Sequence, residues 1–383
     1  MRLRQLELRA FRNFSEAAVV IPKKGLLAAV APNATGKTNF LEAVVMALRG
    51  RSWRASHGEC VRWGEEAFQV TAEVERREGE SEVVVRYHAP AKKMRIEEDG
   101  RPVSSVTFYK RYPLVLFVAE DTFLFTRSPA QRRNFLNQVL VTAPPYVSAL
   151  VQYQRALLQR NASLKEATSP ADITAWTELV VEHGVALWRY RQQLVDYLQA
   201  HLAAGYKLLT GEQLSLDVEL AAPFLEAAPF REALQAAFSS EQRLGYTLRG
   251  PHRDDLRLTS DGKPVGAVLS QGQMRGVVLA LKLAVASFIE ALAEEPPLIL
   301  LDEVLSELDE QRQQTLLAHL PDAQVLLTGT SVPEALRQQP DVHLLDIRSI
   351  LAKPATAQPR RRQPEERSVP VKQQEDEAVV AAD

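Results

Sequence analysis

Gly25-Leu-Leu-Ala-Ala-Val-Ala31-Pro-Asn33-Ala34-Thr35-Gly36-Lys37-Thr38-Asn39-Phe-Leu-Glu42-Ala43 is the stretch on which the reading of this chain turns. Gly25–Ala31 is a solid apolar run of a length suited to a buried strand. Asn39–Arg49 reads as a helix, with Phe40, Leu41, Val44, Val45 and Leu48 at helical spacing. Between them lies a loop ending in Gly36-Lys37-Thr38, the setting a phosphate-binding loop requires. Backbone N–H groups at a helix N-terminus attract anionic oxygen, a lysine reaches the β and γ phosphate oxygens, and a Thr38 hydroxyl suits Mg²⁺. Asn33 and Asn39 flank the loop, placed to contact phosphate or metal.

Two later segments supply what such a loop needs. Leu298-Ile-Leu-Leu-Asp302-Glu303 is four aliphatics followed by two acids. A strand buried on both faces would deliver Asp302 to a metal and Glu303 to an attacking water. Upstream, Ser270-Gln271-Gly272-Gln273 opens an apolar helix over Met274–Leu292, and its N-terminus is a second place for anionic oxygen. The succession of phosphate loop, Ser-Gln-Gly-Gln, Asp-Glu and Ser306-Glu-Leu-Asp309 is hard to obtain by chance.

The order of these motifs resembles ATP-binding-cassette heads of the SMC type, and the details resemble the RecF DNA repair family over most of residues 1–347. The carrying segments are Leu8-Arg-Ala-Phe-Arg12-Asn13-Phe14, Gly36-Lys37-Thr38-Asn39 with Leu41-Glu42-Ala43, and Arg51-Ser-Trp-Arg54. Ser128-Pro-Ala-Gln-Arg132-Arg133-Asn-Phe-Leu136, Gln159-Arg160-Asn161 and Gly250-Pro-His-Arg253-Asp254-Asp255-Leu256 follow, then Leu281-Lys-Leu. The resemblance implies an α/β fold: an ABC-type P-loop ATPase head interrupted by a mostly helical arm.

It further implies ATP and Mg²⁺ as cofactors. Arg12, Asn13, Asn33, Ala34, Thr35, Gly36, Lys37, Thr38 and Asn39 would form the nucleotide site, Thr38 and Asp302 would hold the metal, and Glu303 would be catalytic. Ser270, Gln271, Gly272 and Gln273 would act in trans, across an ATP-dependent homodimer. The implied function is a DNA clamp in recombinational repair and gap processing, on single-stranded and junction DNA without sequence specificity. A RecR-like mediator, recombinase loading and SOS induction go with it, and hydrolysis would be a slow, DNA-stimulated timer. The chain departs from the family at Ala31 and Ala34, where its loops usually carry glycine. A position needing φ > 0 there would cost roughly 1–2 kcal/mol. A nucleotide-binding scaffold without productive hydrolysis is the alternative, and a transporter cassette is opposed by the RecF-like segments.

The remaining sequence fits this frame. The chain has 383 residues, 46 Lys+Arg against 48 Asp+Glu, and 46% hydrophobic residues, which suits two or three folded domains. A net charge of −2 requires any nucleic-acid contact to come from a local basic face. Candidates are Arg51, Arg54, Arg62, Lys92, Lys93, Arg95, Lys110 and Arg111. The single Cys60 excludes an internal disulfide framework and favours a cytoplasmic setting. No apolar run approaches the roughly 20 residues a membrane helix needs and no signal-type block is present, so no membrane partner is expected. Short β-rich pieces occupy Phe68–Phe117, and helical periodicity dominates from about Ala130 to Tyr206. The expected division is 1–129 for the first part of the head, 130–245 for the arm, 246–350 for the second part of the head, and 351–383 for a disordered tail. Gly250–Leu256 reads as a structural turn with Arg253 paired to Asp254.

Overall fold

The computed structural model describes residues 1–23, 25–104, 108, 111–166, 170–221, 223–320, 322–332, 336 and 341–351. Lys110 and the tail beyond Leu351 lie outside these described residues. In chain order the strands are β1 (Arg2–Phe11), β2 (Phe14–Val20), β3 (Leu26–Val30), β4 (Ala67–Arg76), β5 (Gly79–His88), β6 (Lys93–Glu98), β7 (Arg101–Pro102) and β8 (Leu114–Phe117). They continue with β9 (Asp217–Leu220), β10 (Leu256–Ser260), β11 (Lys263–Pro264), β12 (Leu298–Asp302), β13 (Val325–Gly329) and β14 (Val342–Asp346). The principal helices are α1 (Lys37–Arg49), α2 (Pro129–Leu140), α3 (Pro144–Glu166), α4 (Pro170–Thr210), α5 (Ala227–Leu244), α6 (Gln271–Ala293) and α7 (Glu310–Ala318).

A five-stranded parallel sheet runs in the order β14-β3-β13-β12-β8. Strands β3 and β12 are nearly continuous aliphatic runs because both of their faces are covered. Leu27, Ala29, Leu298, Leu300 and Leu326 enter one core, shared with α1 and an antiparallel sheet of order β2-β1-β4-β5-β6-β7. Leu26, Ala28, Ile299, Leu301 and Leu327 enter the other, beneath α2, α4 and α6. The period-two alternation of each strand thus divides its side chains between two cores.

The inserted segment is mostly helical, built on α3 packed against the long α4, with α4 also lying along α6. Among the described residues it carries one strand: β9 pairs antiparallel with β10, Leu220 opposite Leu256, so a ladder crosses the 245/246 division. Helix α6 is long and apolar enough to cross a bilayer by composition alone, although interruptions such as Lys282 hide this in a run-by-run reading. Most of it, from Met274 to Ala286, is buried in the core beneath the parallel sheet.

The Gly250–Leu256 segment differs from the sequence expectation. Pro251–Arg253 forms a 3₁₀ turn, but Asp254 pairs with Arg191 of α4 at 2.6 Å, not with Arg253. Trp188 Nε1 also donates to Asp254, at 2.7 Å, and Arg253 lies over the Tyr246 ring. A buried carboxylate takes the cation that shares its burial, and here that cation comes from α4 and not from the sequence neighbour. Asp255 is held by Arg132 of α2, and His252 accepts from the Tyr153 hydroxyl at 2.6 Å while donating to the Thr247 carbonyl. Burial pushes the His252 imidazole down to about 4, so it sits neutral in this packing.

Candidate functional site

The C-terminal ends of the parallel strands share one edge of the sheet, where open α/β folds bind ligands. The loop after β3 leads into α1, and β13, β12 and β8 end beside it in Thr328, Asp302-Glu303 and the Ala119–Phe123 turn. Gly36 caps α1 at φ 103, and a Cβ there would lie 2.3 Å from Asn13 Nδ2. Glycine is therefore required by both conformation and space. Of the two alanines, Ala34 adopts φ 63 and is strained, whereas Ala31 is absent from the left-handed residues, is 3% exposed and donates its N–H to Gly329.

The Lys37 ammonium, 3% exposed, is held by the carbonyls of Ala31 (2.9 Å) and Pro32 (3.1 Å), by Asn33 Oδ1 (3.4 Å) and by Glu303 (3.0 Å). Glu303 adopts φ 57, an unfavourable conformation for glutamate, and its N–H donates to Thr328 Oγ1. Asp302 Oδ1 accepts from both Thr38 (3.1 Å) and Thr328 (2.7 Å). Burial pushes the Asp302 carboxyl up, against those two hydrogen bonds. The loop, β12 and β13 converge on this one carboxylate.

A second cluster braces the outer side of the loop. Asn13 donates to the Thr35 carbonyl (3.0 Å) and accepts from Asn39 Nδ2 (2.7 Å). Arg12 forks onto Glu42 of α1 at 2.8 and 2.7 Å, and Arg54 (2.9 Å) and Ser52 (2.6 Å) complete the shell of that fully buried carboxylate. Burial drives the Glu42 carboxyl up, but donors from Arg12, Arg54 and Ser52 outweigh it and leave it below the ordinary range. Cys60 lies against Glu42, and burial with that charge raises its thiol to about 12, which keeps it protonated and inert.

Ser270 caps α6, accepting from Gln273 N–H (3.2 Å) while the Gln273 side chain takes Ser270 N–H (3.1 Å). Ser270, Gln271 and Gly272 are exposed. Among the basic candidates, Lys92, Lys93 and Arg95 are exposed at the β5–β6 turn and along β6. Arg62 donates to the Asn13 carbonyl and Arg111 pairs with Glu98, while Arg51 lines a cavity of about 260 Å³ between α1 and α2. Asp121, in the turn after β8, pairs with Lys282 of α6 at 2.9 Å.

Glu42, Ser52 and Thr328 are the site residues that sequence reasoning missed. Thr328 carries the same signal as Asp302, a polar residue ending an aliphatic strand. Glu42 is an acid inside the otherwise apolar Phe40–Val45 stretch.

Residues 2–331 match the family model described as the RecF/RecN/SMC N terminal domain. The DNA replication and repair protein RecF of Desulforudis audaxviator is 36% identical over 340 residues, covering 86% of this chain and 94% of that relative. RecF of Cyanothece sp. is 36% identical over 348 residues, covering 86% and 92%. A solved structure described as the recombination mediator protein RecF-ATP in the RecFOR pathway superposes with TM-score 0.80 at 26% identity, over 87% of this chain and 92% of the other. The Pyrococcus furiosus Smc head domain shares the fold at TM-score 0.50 and 16% identity, over 86% and 89%. The motifs, the two-sided parallel sheet and these likenesses agree, and the chain belongs to the RecF family.

Proposed function

We propose that this protein is an ATP-binding DNA replication and repair factor of RecF type, in which ATP closes two copies of the chain on DNA. The observation that carries the reading is the bond from Thr38 to Asp302, residues 264 positions apart, beside the Lys37–Glu303 pair. It brings the loop and the strand-end acids together at one site.

Asp302 offers one carboxylate and Thr38 one hydroxyl; with phosphate oxygens and water this is an oxygen donor set that fits a small hard cation. Among the described residues no cluster of three or more His, Cys, Asp or Glu offers an all-protein metal cage. Mg²⁺ bound there would offset charge on the β and γ oxygens. Lys37 would exchange its loop carbonyls for phosphate oxygen, and Glu303, freed from Lys37, would orient the attacking water. The exposed Ser270–Gly272 end of α6 would reach the γ-phosphate of the partner copy, so ATP and ADP would differ in affinity for the closed pair. Lys92, Lys93 and Arg95 would form a sequence-independent, salt-sensitive rim for phosphodiester backbone.

Sedimentation velocity with and without ATP, repeated in the presence of gapped DNA, tests this. Wild-type chain is expected to dimerise with ATP and to bind DNA in that form, and Lys37→Ala to do neither. Unaltered dimerisation of Lys37→Ala would refute the assignment of the loop.

A further inference from the structure

We propose that Trp63 is the stacking platform for the base of the nucleotide held at Gly36–Thr38; this rests on the ATP reading above and adds a base-recognition residue to it. Trp63 is 100% exposed. An indole so fully in water gives up the burial that usually accompanies a tryptophan, and offers an unused π-face.

The ring is presented by a fixed turn. Glu65 N–H donates to the Arg62 carbonyl at 3.0 Å, closing a four-residue turn whose third position is Gly64 at φ 85, the conformation a type II turn reserves for glycine. That turn is tied to the end of β1. Arg62 N–H donates to Ala10 at 2.9 Å, Arg12 N–H to Cys60 at 2.7 Å, and Val61 bridges Phe11. The Arg62 guanidinium reaches over to the Asn13 carbonyl. Asn13 in turn holds Thr35 and Asn39 and packs against Gly36. The turn that carries the aromatic ring is thus linked to the phosphate loop through Arg62 and Asn13.

In this proposal a bound triphosphate lies with its base on this side. Lys37, Thr38, Asp302 and Glu303 gather the γ end where the parallel strands finish. A sugar and base leaving the loop on the opposite side, past the Asn13–Asn39 pair, would meet the turn that Arg62 ties to Asn13. Stacking on an aromatic face is strong for any base, so this platform would favour purines by ring area and discriminate weakly among them.

The test uses calorimetric binding of ATP and of inorganic tripolyphosphate to the full chain and to its Trp63→Phe, Trp63→Ala and Lys37→Ala variants. Trp63→Ala is expected to weaken ATP by about 5- to 100-fold and to leave tripolyphosphate affinity unchanged, with Trp63→Phe keeping most of the affinity. ATP should also quench tryptophan fluorescence in the wild type and fail to do so in Trp63→Phe. If Trp63→Ala binds ATP as the wild type does while Lys37→Ala does not, the stacking proposal falls and the nucleotide site stands. If that same Trp63→Ala variant instead loses affinity for single-stranded DNA, the platform serves DNA bases and the proposal is overturned. Wild-type ATP affinity in Lys37→Ala would overturn the nucleotide reading beneath it.

Discussion

Arg191→Ala tests whether the Gly250–Leu256 segment is a structural clamp or part of the chemistry. Arg191 and Asp254 are 3% and 2% exposed at the side chain, with 2.6 Å between Nη1 and Oδ2. The same guanidinium serves the Pro251 carbonyl (2.8 Å), Asn137 Oδ1 (3.1 Å) and the Tyr146 hydroxyl (3.2 Å). Truncation would strand a buried carboxylate with Trp188 as its remaining side-chain donor and leave three further groups short of a partner. Removing one member of such a pair costs about 3–5 kcal/mol, several times what an exposed pair would lose. Urea unfolding followed by tryptophan fluorescence reads this directly, since Trp188 sits in the network. Asp254→Ala should cost a similar amount, and the double variant less than the two singles added, by roughly 0.5–3 kcal/mol. The folded fraction of Arg191→Ala should bind ATP within about twofold of the wild type, that is, within about 0.4 kcal/mol. An unchanged unfolding midpoint with ATP binding lost would refute the clamp and move the segment into the nucleotide site.

Glu303→Gln should retain ATP through Thr38 and Asp302 but lack the group that orients water, so the ATP-bound dimer should persist in a sedimentation time course; dissociation at the parental rate would exclude that role. Ala34→Gly should raise thermal stability by up to about 1 kcal/mol, because relief of roughly 1–2 kcal/mol at φ 63 exceeds the added unfolded-state entropy. Ala31→Gly relieves nothing and should destabilise slightly in the same melt, and a matching gain from both would show that φ is not the cause. His252, held near 4 when folded against 6.5 ordinarily, binds its proton more readily unfolded. It should therefore cost nothing above pH 6.5 and increasingly destabilise from there down to about 4, and His252→Gln should flatten that part of the stability profile.

Much of the head was legible in the sequence because its burial is written locally. β3 and β12 are covered on both faces and so read as unbroken aliphatics, and α1 shows its stripe at Phe40, Leu41, Val44 and Val45. The loop and its acids follow from residue type at the strand ends. What stayed hidden depends on distant partners. β14 is mostly exposed or half-buried and takes its strand identity from pairing with β3, more than three hundred residues earlier. β9 sits inside a helical stretch and exists through β10. Arg12, Arg54 and Ser52 meet on Glu42 because a strand end, a loop and a helix converge there, and no periodicity reports such a meeting. Asp254 likewise takes its partner from Arg191 of α4, sixty-three residues away, and not from its sequence neighbour.

The position of β3 between β13 and β14 also constrains how the protein comes into being. On the ribosome, β3 emerges with the first thirty residues, yet both of its hydrogen-bonding edges wait for strands at Val325–Gly329 and Val342–Asp346. At ~5–20 residues per second, about 300 residues of synthesis separate them by roughly 15–60 s. Through that interval Leu26–Val30 is an apolar strand with neither edge filled, the kind of segment that self-associates or recruits a chaperone. Chains released early, before Val325, would carry the Gly36-Lys37-Thr38 motif without a sheet to hold it. Nucleotide binding can therefore report on completed translation, because a prematurely terminated copy lacks the strands that shape the loop.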